Sequence, residues 1–176
     1  MSCPLFGGQA THESAIVATL QPGSYTLIEQ GVESGTGLGL VEVYGLDSST
    51  SSQLANISTR GVVGTADGVM IGGFILGGNG STVVVRALGP SLSAVGISNF
   101  LPDPTVTVVD AFGTTVGTDD NWQDTQESEI TALDLNPDHG EESALLVTLP
   151  PGAYTAIVAG KDGGTGVGLV EVYNVK

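Results

Sequence analysis

Apolar residues in this chain come in short runs, cut by glycine, proline and clusters of acids and amides. Nowhere do they recur at the three-and-four spacing of an amphipathic helix. The pattern predicts strands over Leu54–Ser58, Val69–Leu76, Thr82–Leu88, Pro104–Asp110, Thr114–Thr118, Ala144–Leu149, Ala153–Ala159 and Val167–Tyr173. Single helical turns are expected at Ser91–Val95 and Glu127–Leu133, the second inside a long polar loop. The runs Val83-Val84-Val85 and Ala144-Leu145-Leu146-Val147 are apolar at consecutive positions, so both faces of those strands need cover. Gly72-Gly73 inside a strand pattern points to a bulge or a close backbone approach. Eight short strands with turns at short spacing predict an all-β fold. The expected form is an antiparallel two-sheet β-sandwich of jelly-roll type.

One stretch occurs twice. Ser143 to Tyr173 reads SALLVTLPPGAYTAIVAGKDGGTGVGLVEVY, and Ser14 to Tyr44 reads SAIVATLQPGSYTLIEQGVESGTGLGLVEVY, with no gap between the two patterns. Self-similarity of this kind marks a repeated structural unit, and the offset has the length of a domain. The chain therefore divides into a partial repeat at 1–46, a polar linker at 47–52 and a complete β-sandwich at 53–176. Residues 1–13 read as an extended lead-in. Strands are expected in the partial repeat at Ile16–Leu20, Tyr25–Glu29 and Gly39–Tyr44, adding to those of the sandwich.

Three strands bury only part of a face and leave ladder edges open. Ile16, Val17, Tyr25, Leu40, Val41, Val43 and Tyr44 are the residues expected to serve assembly. Their cover comes from an upstream part of a longer polypeptide, from the chain's own sandwich, or from the sheet of a neighbouring subunit. Strand addition of the last kind uses main-chain hydrogen bonds. It is heterologous, and without closure it makes a fibre. The linker favours it, so the expected partners are copies of itself or neighbouring repeats in a homopolymer.

Charge narrows the function. The formal net charge is −15, and Arg60, Arg86, Lys161 and Lys176 are the only Lys or Arg residues. Such a surface repels a phosphate backbone, so no nucleic acid is expected as a partner. Val69–Leu76, the longest apolar run, is too short to span a bilayer, so no membrane insertion is expected. Cys3 is the sole cysteine, which leaves no intrachain disulfide. Any export signal is expected outside this chain.

Catalytic constellations are missing. His12 and His139 are the only histidines, both in polar, loop-like surroundings; there is no Gly-x-Ser-x-Gly elbow, no Cys/His pair in a plausible context and no metal-ligand histidine spacing. Gly35-Thr36-Gly37-Leu38-Gly39 has no lysine or helix after it, so it is no phosphate loop. No enzyme is expected. Asp119, Asp120, Asn121 and Asp124 do gather hard oxygen ligands on one loop, which is the chemistry of Ca²⁺. Their spacing is not that of an EF-hand. The other reading is a solvated turn whose side chains bond their own backbone, with Trp122 plugging one end of the sandwich. No other cofactor is expected. Glu171 and Arg86 stand amid apolar strand residues; each faces solvent or is paired, and Glu171 is the chosen partner of Arg86.

Several phrases carry a resemblance. They are Asn56-Ile57-Ser58-Thr59-Arg60-Gly61, Val85-Arg86-Ala87-Leu88-Gly89-Pro90-Ser91-Leu92, Asp103-Pro104 through Asp120-Asn121-Trp122, and the closing Leu149 to Thr155 and Gly168 to Tyr173. As a set they resemble a repeat of large exported proteins of Verrucomicrobia and related bacteria. The second half is also similar to bacterial pre-peptidase C-terminal domains, jelly-roll sandwiches appended to secreted enzymes. Both likenesses imply an exported, extracellular or cell-surface, non-catalytic module. The expected function is a structural or adhesive module of a surface assembly, a filament or tandem-repeat protein joined by β-strand addition. The alternative is a carbohydrate- or calcium-binding accessory module of a secreted enzyme.

Overall fold

The structure, a computed structural model, describes residues 13–46 and 54–175. The expected lead-in over 1–12 and the expected linker lie outside the described residues. The chain forms two compact units, divided between Tyr44 and Gly45.

The second unit is a sandwich of eight strands: β1 Asn56–Val63, β2 Met70–Leu76, β3 Ser81–Leu88, β4 Pro104–Asp110, β5 Thr115–Asp119, β6 Ser143–Leu149, β7 Gly152–Gly160 and β8 Gly166–Asn174. One short helix, α1, spans Glu127–Thr131. The first sheet has the order β1-β8-β3-β6 and the second β2-β7-β4-β5. Every neighbouring pair is antiparallel. This is a jelly-roll arrangement of two four-stranded sheets.

Alternation along each strand sends one face inward. Val63, Val83, Val85, Leu101, Val108, Ala156 and Val158 are fully buried between the sheets. Phe74 stacks on Tyr154 with ring centroids 5.6 Å apart. Gly72 answers its sequence signal by a close approach: a Cβ there would stand 3.0 Å from Val170 Cγ1. β1 runs past the expected Leu54–Ser58 because β8 supplies a ladder for Thr59, Arg60 and Gly61, opposite Val170, Leu169 and Gly168. Tertiary pairing overrides a polar stretch there.

The first unit departs from expectation. Among the described residues 13–46 no strand forms, and the only regular element is a 3₁₀ turn at Val32–Ser34. The three strands expected there, and the extra strands they would add, are absent. Sheet topology gives the reason. In the complete copy β6 pairs with β3, β7 pairs with β2 and β4, and β8 pairs with β1 and β3. None of the three pairs with another. Residues 13–46 carry the equivalents of these three strands, which by this pattern do not pair with one another.

Local geometry survives without the ladders. Tyr25 Oη donates to the Gln21 carbonyl at 2.8 Å, as Tyr154 Oη donates to the Pro150 carbonyl at 2.9 Å. Glu33 and Asp162 both adopt φ 53°. The Gly35 and Gly164 amides donate to the Val32 and Lys161 carbonyls, both at 2.9 Å. Ile16, Val17, Tyr25, Leu40, Val41, Val43 and Tyr44 are exposed.

The tyrosine bond ties β7 to the turn after β6. Tyr154→Phe is expected to cost about 1 kcal/mol through loss of that bond. The urea midpoint of the sandwich should fall while its circular dichroism stays that of β-structure.

Candidate functional site

The outward face of the first sheet carries the chain's most developed polar constellation. Inward positions of β3 are Val83, Val85 and Ala87, so Arg86 projects to the other face. β8 runs beside it, and register sets Arg86 opposite Glu171. Arg86 Nε donates to Glu171 Oε2 at 3.0 Å, and Nη2 also pairs with that oxygen. Nη2 donates to Tyr173 Oη at 3.2 Å, and Tyr173 Oη donates to Glu171 Oε1 at 3.0 Å. The guanidinium lies 5.0 Å from the Tyr173 ring centroid, over its face. Burial, then the neighbouring Glu171 carboxylate, pushes the Tyr173 phenol above its ordinary value.

A roof covers this face. Arg86 Nη1 donates to the Leu135 carbonyl at 3.0 Å, which draws the polar loop after β5 onto the sheet. Trp122, Ile130 and Ala144 form a second apolar cluster, with Leu146 packed against it. Trp122 Nε1 donates to the His139 carbonyl at 3.1 Å. The sequence alone did not reveal Glu142, which is fully buried. Its Oε1 accepts from the Gly89 and Ser91 amides at 2.9 and 2.8 Å, and its Oε2 accepts from Ser91 Oγ at 2.5 Å. Its position directly before an apolar strand was the available signal.

The four acidic-loop residues take different hydrogen-bond and ion-pair partners. Asp119 Oδ2 accepts from the Ala144 amide at 2.8 Å, and burial raises this carboxyl above its usual range. Asp120 pairs with Lys161 Nζ at 2.7 Å. Asn121 Nδ2 donates to Asp124 Oδ2 at 3.4 Å. Lys161 also lies 3.8 Å from Asp103, whose carboxyl is raised chiefly by burial. Among the described residues no three His, Cys, Asp or Glu side chains group as a metal site.

The two sides of the sandwich differ. On one side β6 is the outer strand of its sheet, and its free edge is occupied at Ala144 and Leu146. Gln126 acts as a substitute strand: its Nε2 donates to the Leu146 carbonyl and its Oε1 accepts from the Leu146 amide, both at 2.9 Å. Asp119 takes the Ala144 amide beside it. On the opposite side β1 and β2 are the outer strands of their sheets. Among the described residues no hydrogen bond reaches their free edges. Arg60 sits there, exposed, with no ion pair among the described residues.

No family model and no curated protein matches the chain. The resemblance to verrucomicrobial repeats therefore stands on its sequence phrases alone. One solved structure similar to this chain is the pre-peptidase C-terminal domain of a collagenase from Bacillus anthracis. It is 14% identical, with a TM-score of 0.42 over 66% of this chain and 88% of that one.

Arg86 and Glu171 side chains keep only 15% and 10% of their exposure. Breaking such a pair strands a charge in a desolvated place. Arg86→Met is expected to lower stability by about 3–5 kcal/mol. An unchanged denaturant midpoint would place the pair in free solvent contact instead.

Proposed function

We propose that this chain is a non-catalytic structural or adhesive module of an exported bacterial surface assembly, joined to copies of itself through β-strand addition. The observation that carries the reading is residues 14–44. They hold the turn geometry found between β6, β7 and β8, and pair in no ladder among the described residues. Val17, Ile28 and Leu38 are 85%, 76% and 90% exposed. Apolar, strand-prone sequence with open backbone groups gains most by adding to another sheet. A chain presenting such a segment, and a sheet side whose edges no hydrogen bond among residues 54–175 reaches, can make head-to-tail contacts, which propagate unless they close. The exported setting is inferred from the resemblance of its sequence phrases to repeats of exported proteins. The net charge of −15 suits a soluble module that joins only where backbone bonds repay the approach.

Removal of the segment tests the reading. Residues 45–176 should sediment as a folded monomer, while the full chain should form larger species that grow with concentration. A full chain that stays monomeric at the highest attainable concentration would overturn it. So would a shortened chain that associates equally well.

A further inference from the structure

Two features limit how residues 14–44 can meet another copy. The first is fit. Matched position by position, Leu27 stands where the complete copy has Ala156, and Glu29 where it has Val158. Ala156 and Val158 are both fully buried. Val158 lies between Met70 of β2 and Val106 of β4 in register. A carboxylate there would be buried with no cation, which is prohibitively costly. The larger Leu27 would overpack its slot. The segment therefore cannot displace β6–β8 from an identical sandwich. It must add at a side, where Glu29 keeps contact with solvent.

The second feature is which side is open. β6 is blocked at Ala144 and Leu146 by Asp119 and Gln126. β5 is short, and its pairing with β4 shifts register between Val108 and Val109. β1 and β2 lie together on the remaining side, in contact with one another. These two strands already accept this sequence pattern on their inner edges: β7 runs antiparallel to β2, and β8 antiparallel to β1. A β7-like and β8-like pair crosses from one sheet to the other, so it can straddle the β1/β2 side with each half beside its usual kind of neighbour.

Charge selects the register. Tyr44 Oη donates to Glu42 Oε1 at 2.9 Å, the arrangement of Tyr173 and Glu171 at 3.0 Å. In the complete copy the cation for that carboxylate is Arg86, from the adjacent antiparallel strand. Arg60 lies on the outward face of β1, opposite Leu169, the face that also carries Glu171. It is a cation on an edge strand of a strongly acidic chain. We infer that residues 25–44 of one copy add along the β1/β2 side of a second copy, with Glu42 taking Arg60 as Glu171 takes Arg86. This inference rests on the shared-strand reading above and specifies its surface.

The full chain provides the test, read by sedimentation velocity. Arg60→Glu and Glu42→Arg should each weaken self-association by roughly tenfold or more, since each opposes like charges at the joint. An equimolar mixture of the two variants should associate as the unaltered chain does, because every joint then pairs opposite charges. Both variants should melt where the unaltered chain melts, as both sites are exposed; if either melts lower, Arg60→Gln and Glu42→Gln replace them, and each should still weaken association. Association indifferent to these changes would overturn the β1/β2 joint while leaving shared strands standing. Variants that weaken association without rescue on mixing would overturn the pairing of Glu42 with Arg60. A full chain that never associates would overturn both this inference and the reading beneath it.

Discussion

The fold depends on interleaving: the last three strands pair only with strands from the first part of the repeat. β8 sits between β1 and β3, and β7 between β2 and β4. Neither sheet can close until the final third of the repeat has arrived. Nearly all of its ladders are long-range, so loop closure must be paid before any reward comes. The same constraint explains the first unit. Residues 14–44 have strand-like composition and turn geometry, yet composition makes no ladder. A β-strand is a relation between two segments, and residues 13–46 pair with no second segment among the described residues.

Closing the sandwich leaves a sheet face that must bury charge, and the chain does so in two ways. Glu171 is met by a guanidinium and a phenol. Glu142 is met by two backbone amides and a hydroxyl, with no cation at all. Those donors satisfy its buried oxygens where no cation does. A chain with so few cations can bury acids only if the backbone supplies most of the donors. The turn at Gly89–Ser91 is therefore as much a part of the first sheet's cover as the loop that Arg86 holds down. The outward face of the second sheet shows the contrast: Ile71, Ile75, Thr105, Thr107, Thr155 and Ile157 make it uncharged and leave it uncovered by any such roof.

What could be read from the sequence was what neighbours along the chain determine. Each apolar run of the complete copy became a strand, because alternation and turn residues are local. Arg86 and Glu171 were conspicuous as charges among aliphatic residues, and register sets them side by side. Glu142 and Gln126 were not conspicuous. Their roles come from backbone groups dozens of residues away, at Gly89 and Ser91, or across the loop at Leu146. In the acidic loop, neighbours in sequence take different partners in space. Asp119, Asp120, Asn121 and Asp124 are adjacent in sequence, but their side chains leave toward β6, Lys161 and one another.

The two copies differ where that distinction predicts. Residues that set local conformation are shared: Pro22-Gly23 with Pro151-Gly152, Tyr25 with Tyr154, Gly31 and Gly35 with Gly160 and Gly164. At Gly31 and Gly160 a Cβ would lie 2.0 and 2.1 Å from the carbonyl oxygen four residues on, so no larger side chain fits either turn. Two of the inward positions of the middle strand are not shared, with Leu27 and Glu29 in place of Ala156 and Val158. A segment can carry its turns alone, but its packing residues answer to whatever lies across from them. Ala156 and Val158 answer to a closed core. A leucine followed two positions later by a glutamate does not, and the addition proposed above, at the side of a second sandwich, would leave that glutamate in contact with water.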